Sequence, residues 1–396
     1  MVDKTQIEQW LKDGTITKAQ AKKMLADASE YKKERSSNKL IVAFSTIGAI
    51  LLGIGAILFI ASNWQELSKI SKTLILVGST ALAYYAGYYF NYQKQYLPKV
   101  GGDLLFLGAL LFGATVILVA QIYNVNANNH VLVLVWLIGI LPLVYALKSV
   151  PIAGLAALLF YLWVALFFSK DNHWWFFGFL GRFSIVLFIA ASIMLFAVGG
   201  LHYLLPQFKQ IARTYRIASL KILMFSLFLL TFDWFSKVSS DYISDWFNTV
   251  QDQIVVGVVI FSVIAIIITI VNWFFNKSES LSIYEGPISI CLIGLVLIFF
   301  FYPSKTNIYI LIFNLLFAGL TLLFLYFGYT REDMKLVNLG MFWLGLFLVA
   351  KYFDWFWDLL ERSVFFLIGG LILVIGGIAL ENKRRQIKSK FVEKDE

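Results

Sequence analysis

Charge is scarce in this chain of 396 residues: Asp, Glu, Lys and Arg together make up 14%, against about a quarter in ordinary soluble proteins. A water-facing globular surface cannot be assembled from so little. The 60% hydrophobic share, with 17% of the chain aromatic, points to a bilayer instead. The single cysteine, Cys291, lies in an apolar run, which excludes an intramolecular disulfide and argues against redox chemistry. His130, His173 and His202 lie far apart, without any metal-ligand spacing. Neither a Gly-x-Ser-x-Gly elbow nor a Gly-x-x-x-x-Gly-Lys phosphate loop occurs, so the familiar hydrolase and nucleotide-binding signatures are missing. No catalytic residue, metal site or cofactor is expected, and the chain reads as a non-enzyme.

What is present is a succession of apolar stretches from Leu40 onward, each of spanning length and separated by brief polar breaks. Twelve are expected, centred in the ranges 40–61, 73–90, 104–121, 131–147, 151–168, 183–205, 217–235, 254–275, 283–302, 308–329, 336–352 and 363–380. At about 20 residues each they use roughly 240 positions, leaving room for loops and tails only. The runs are continuous, without period-two alternation, and backbone groups in lipid must pair within their own segment. The fold class is therefore all-α, a polytopic membrane helix bundle. The seventh and eleventh spans are the weakest, carrying Lys221 and Lys351 near an end, where a long basic side chain can snorkel to the headgroups.

Residues 1–38 read as a short cytoplasmic helical hairpin, in which Gly14 closes one helix and Thr17 with Gln20 forms a capping box for the next. It is too polar for a cleavable signal peptide, and its thin apolar stripe needs something to dock on, so a protein partner at this leader is one reading and a solvated orientation signal the other. Residues 39–380 form the bundle and 381–396 a basic tail. With the amino terminus inside, cytoplasmic segments hold 25 Lys and Arg against 8 outside. Both termini are then cytoplasmic. The tail residues Lys383, Arg384, Arg385, Lys388 and Lys390 suit anionic headgroups, and nothing calls for a nucleic-acid partner.

Small residues four apart mark close helix packing: Ser79, Ala83 and Gly87; Ala49 and Gly53; Ala109 and Gly113. The pairs Gly369, Gly370 and Gly376, Gly377 mark one face of the last span. At an offset of 60 the first and third spans align, Gly48 with Gly108 and Gly53 with Gly113 among others, which is either a parallel repeat of two hairpins or a chance match of common residues.

Trp10 and Gly14 in the polar leader, Asn63 and Trp64 closing the first span, Gln121 and Tyr123 closing the third, and Trp136 with Pro142 in the fourth together resemble the bacterial predicted-membrane-protein family of domain of unknown function 2157, over about residues 5–150. The resemblance implies a multi-pass protein of the bacterial plasma (inner) membrane. It supplies no activity and no catalytic residues.

Candidate sites are few. Asn63, Trp64, Gln121 and Tyr123 share one depth and form either a polar, lipid-headgroup or solute cluster, or a helix cap (Asn63 with Glu66) flanked by interfacial anchors. Asp103, after Gly101 and Gly102, is either a helix cap or an ion-handling carboxylate. Acids beside aromatics recur on the outer side, at Asp233 and Trp234, Asp245 and Trp246, and Asp354 and Trp355, as a ligand surface or as an aromatic belt. Three functions fit: transport or lipid handling with a cavity among the first four spans, a noncatalytic scaffold or sensor, and, last, a transferase acting on lipid-linked sugars.

Overall fold

The computed structural model describes residues 13, 17, 20, 66–93, 98–125, 128–168, 182–236, 252–275, 282–302, 307–330, 332–356 and 362–393. Among them every regular element is helical. Contacts divide the chain into two compact units, Met1–Ile75 and Leu76–Glu396. The expected first span, with Gly48, Ala49 and Gly53, lies outside the described residues, as do Asn63, Trp64, Asp245 and Trp246.

In the first unit the capping box is formed: the Thr17 backbone N donates to Gln20 Oε1 at 2.9 Å and Gln20 N to Thr17 Oγ1 at 3.3 Å. Helix α1 (Lys69–Tyr88) begins at Ser68, whose Oγ accepts from Ser71 N at 3.1 Å. Ser68 is therefore the residue that starts this helix, five positions after the expected cap at Asn63. A π-helical turn, Tyr89–Gln93, ends it.

The second unit continues with α2 (Pro98–Ile122), α3 (Asn129–Ala146), α4 (Val150–Phe167), α5 (Arg182–Leu201), α6 (Lys209–Leu230), α7 (Asp252–Phe275), α8 (Ser282–Phe301), α9 (Ile308–Thr330), α10 (Met334–Phe356) and α11 (Arg362–Glu393). Eight of these, α2 to α5, α7 and α9 to α11, are long and apolar enough to cross a membrane, and α8 has a shorter apolar stretch, Glu285–Phe301. Helix α6 has the length but not the apolarity, because Lys209, Arg213, Arg216 and Lys221 lie along it.

Small residues pack where the sequence placed them in the early helices. Ala83 is buried, and a Cβ on Gly87 would sit 2.8 Å from Leu105 N of α2, so only glycine permits that approach. On α2, Gly113 makes room for the Trp136 ring, whose indole N–H donates to Ala109 O at 2.9 Å. Thr80 and Thr115 hydroxyls meet at 3.0 Å between α1 and α2, and Thr115 also donates to Leu76 O.

The core centres on α5, two thirds of whose span is buried against 6% for α11. Ile185, Leu187, Ile189 and Ile193 pack there against α4, α6, α7 and α8. Helix α11 corrects an expectation: Gly370, Gly376 and Gly377 meet nothing within 4 Å, and Gly369 alone of the four touches a neighbour, Tyr352. Among the described residues the double glycines therefore do not mark a continuous packed face. The helix also runs unbroken through the basic tail to Glu393, with Arg385 donating to Glu381 at 2.9 Å one turn back.

Candidate functional site

Helices α6 and α10 share an unusual relation. Arg213 of α6 donates to both carboxylate oxygens of Asp333, at 2.8 Å each, just ahead of α10. At the far end, Lys351 Nζ of α10 donates to Thr231 O, the carbonyl capping α6, at 2.7 Å. Both contacts join residues 120 apart in sequence, so the two segments run parallel and in step for eighteen residues, about 27 Å at 1.5 Å per residue. That nearly matches a hydrocarbon core of about 30 Å. The helices are fastened at both ends, and between the fastenings they part.

Local structure explains the first fastening. Glu332 closes the α9–α10 turn in the left-handed region, φ 57°, which lets Asp333 N donate to Gly328 O at 3.0 Å. Asp333 Oδ1 then caps α10 by accepting from Lys335 N at 2.9 Å, while its carboxylate faces Arg213. On the opposite flank of α6, Arg216 pairs with Glu285 of α8 and lies over the Phe196 ring at 4.3 Å.

Inside this rim is a cavity of about 1380 Å³, walled by α5, α6, α8, α9 and α10. Its mouth carries Tyr203, Lys209, Arg213, Arg216, Glu285, Glu332, Asp333 and Lys335, while its depth is lined by Ile193, Leu223, Leu292, Leu320, Leu339 and Trp343. Five basic residues, counting Lys221, face three acidic ones. Leu223 and Trp343 both lie ten residues from the Arg213–Asp333 pair, about 15 Å down, half the thickness of a hydrocarbon core. Phe225 and Phe342, both lining residues, are 39% and 62% exposed, so the cavity opens sideways between α6 and α10. Trp343 is 5% exposed, and its indole Nε1 is buried without a hydrogen-bond partner.

Beyond Trp343 the interior is closed by aromatic packing. Phe228 and Phe317 hold their ring centroids 6.0 Å from that of Trp343, and Phe347 lies 5.1 Å from Phe317. Then comes the second fastening. Lys351 is 4% exposed at its side chain and also donates to Asp354 Oδ2 at 2.7 Å, with the Phe232 ring 4.2 Å from Nζ. Asn314 of α9 donates to the same Thr231 carbonyl at 3.0 Å, leaving its Oδ1 buried and unpaired.

These contacts revise several expectations. Lys351 does not snorkel: it turns inward, because the open carbonyl end of α6 offers it acceptors that lipid would not. Lys221 lies mid-helix rather than near an end, since α6 starts at Lys209. Asp103 is exposed inside α2, which begins at Pro98, so it is not the cap. Gln121 and Tyr123 are exposed at the end of α2, their proposed partners Asn63 and Trp64 lying outside the described residues. Asp354 is engaged by Lys351, while Trp355 and Trp234 are 59% and 86% exposed, and Asp233 is exposed in the single helical turn Asp233–Ser236. The structure thus brings the 233–234 and 354–355 sites to the same end of α6 and α10. No group of three or more His, Cys, Asp or Glu suited to a metal ion occurs among the described residues.

The cavity expected among the first four spans involves a first span that lies outside the described residues; the cavity described here is lined entirely from residues 193 to 343. The signal in the sequence is the basic face of α6, Lys209, Arg213, Arg216 and Lys221 at three- to five-residue spacing.

Residues 8–153 match the family described as Predicted membrane protein (DUF2157). The match agrees with the resemblance carried by Trp10, Gln121, Tyr123, Trp136 and Pro142. No curated protein and no solved structure matches the chain. The cavity lies beyond the matched residues, so its chemistry has to be read from its own side chains.

Proposed function

We propose, taking as premise a membrane protein of many apolar helices, that it is a lipid-handling or transport protein whose cargo is a membrane amphiphile held between α6 and α10. The observation that carries the reading is the polarity gradient of the cavity: charged at its mouth, apolar to Trp343, and open sideways at Phe225 and Phe342. A soluble metabolite needs polar groups converging at depth, whereas a lipid needs a polar mouth and an apolar slot of one-leaflet length. At about 1380 Å³ the space exceeds the range of roughly 300–1,000 Å³ usual for drug-sized ligands. The lateral opening gives an acyl chain a route that never leaves hydrocarbon.

In this reading the chain crosses a bacterial plasma membrane twelve times with both ends in the cytoplasm, which puts the Arg213 mouth at the cytoplasmic leaflet, on the side where basic residues collect. The protein binds and moves its cargo without making or breaking a bond.

A phospholipid carrying a photoactivatable group on its acyl chain tests the reading. After irradiation of the purified protein in bilayer discs, label is expected in peptides containing Leu223 and Leu339, and to fall when Leu339→Trp fills the slot. Labelling confined to the outward residues of α11, and unchanged by Leu339→Trp, would refute it.

A further inference from the structure

We propose that the mouth of this cavity selects the phosphodiester headgroup of an anionic phospholipid, and that Asp333 is the built-in competitor which the headgroup displaces from Arg213. The inference rests on the cavity being a lipid site and adds the identity of the headgroup.

Arg213 meets Asp333 through one nitrogen only. Nη2 donates to both carboxylate oxygens at 2.8 Å, and among the described residues Nη1 and Nε make no hydrogen bond. A guanidinium is a planar fork that fits two oxygens of a carboxylate or a phosphate equally well, so most of its donor capacity is still open to an incoming anion. The pair is wet, with side chains 46% and 26% exposed, so exchange of one anion for another is not opposed by burial. Lys209 and Lys335 line the same mouth, and among the described residues neither ammonium has a partner. Lys335 follows Asp333 by two residues and Lys209 precedes Arg213 by four, so both lie within about a turn of the pair.

The second arginine differs. Arg216 is 13% exposed, paired to Glu285 and covered by Phe196, and belongs to the wall. Headgroup exchange is therefore assigned to Arg213, flanked by the two lysines. A zwitterionic lipid brings its own cation into a mouth that already has an excess of positive charge. An anionic lipid brings none. The expected preference is about fivefold for each basic residue engaged.

Asp333 also makes the idea separable from mere folding. Its Oδ1 caps α10, and asparagine caps a helix as well as aspartate does, so Asp333→Asn removes the competing charge and keeps the cap. Loss of the competitor should strengthen anionic-lipid binding, whereas a purely structural ion pair predicts no such gain.

The experiment uses the full chain in neutral detergent micelles, titrated with phosphatidylglycerol or phosphatidylcholine carrying brominated acyl chains. Quenching at the cavity floor is read as the difference between wild type and Trp343→Phe. Phosphatidylglycerol is expected to quench Trp343 at several-fold lower mole fraction than phosphatidylcholine, with the ratio larger in Asp333→Asn and smaller in Arg213→Gln. Inorganic phosphate in millimolar excess is expected to leave the quenching unchanged. Equal quenching by both lipids, an unchanged ratio in Asp333→Asn, or competition by free phosphate would each overturn the headgroup assignment while leaving a lipid in the cavity. Quenching by neither lipid would overturn the headgroup assignment together with the cavity reading beneath it.

Discussion

At one end of the α6–α10 pair a guanidinium and a carboxylate meet in the open, with side chains 46% and 26% exposed; at the other an ammonium is enclosed at 4%, set against a backbone carbonyl and an aromatic face. The same two helices, in step over eighteen residues, are thus joined by contacts of opposite character. Solvent decides what each can do. The open pair gains little from its charges and gives them up at little cost, so it suits exchange. The enclosed ammonium has no water to fall back on, so its acceptors cannot be removed cheaply. Between them Trp343 divides an open slot from closed packing. One end is built to be occupied and the other to stay shut.

The strongest way to break that contrast is to remove the divider. Trp343→Ala takes out a side chain in contact with Phe228, Phe317 and Phe342, and is expected to cost about 3–5 kcal/mol through lost burial and the void left behind. Unfolding in detergent, followed by circular dichroism, would show it as a large fall in the midpoint. A loss under about 1 kcal/mol would mean that the floor of the cavity is not a structural partition at all.

Next in size is the enclosed end. Lys351→Met keeps the length of the side chain but strips the Thr231 carbonyl of its charged donor, an expected loss of about 1.5–3 kcal/mol. Asp354→Asn removes the charge but keeps a side-chain oxygen that can accept from the enclosed ammonium, so it should cost less than Lys351→Met, about 1 kcal/mol. The comparison of the two variants is the test. Should Asp354→Asn prove as costly as Lys351→Met, the carboxylate and not the helix end would be the anchor.

How much of this was legible beforehand depended on whether a feature is local. The Thr17–Gln20 box and the close approach at Gly87 follow from spacing within a few residues and are found in place. Helix class and membrane character follow from composition. Lys351 departs from the snorkelling expectation because snorkelling presumes that lipid surrounds the residue, and the carbonyl end that captures it belongs to a helix 120 residues away. Three of the four α11 glycines meet no neighbour among the described residues for the converse reason: a small side chain permits close packing but does not supply the partner. The cavity was illegible because five helices contribute a few residues each, and no one of them carries both the charged mouth and the apolar depth in a recognisable motif. Its one local trace was the basic face of α6. That face does not reveal that Arg213 and Arg216 diverge onto Asp333 and Glu285, which lie on other segments of the chain.

The smallest expected effect is the most discriminating. Arg213→Gln removes an ion pair that joins two helices, and in a dry interface that would be severe. Here both partners are hydrated, the Asp333 carboxylate still caps α10, and α10 is held independently by α9 along its length and by Lys351 at its far end. The stability change is therefore expected to stay within about 0.5 kcal/mol, near the limit of measurement. A variant that folds as well as wild type but loses its preference for anionic lipid would assign the pair to recognition, because nothing structural has been taken away. If Arg213→Gln instead destabilised the protein as much as Lys351→Met does, the two ends would be fastenings of one kind, and the openness of the first would carry no functional meaning.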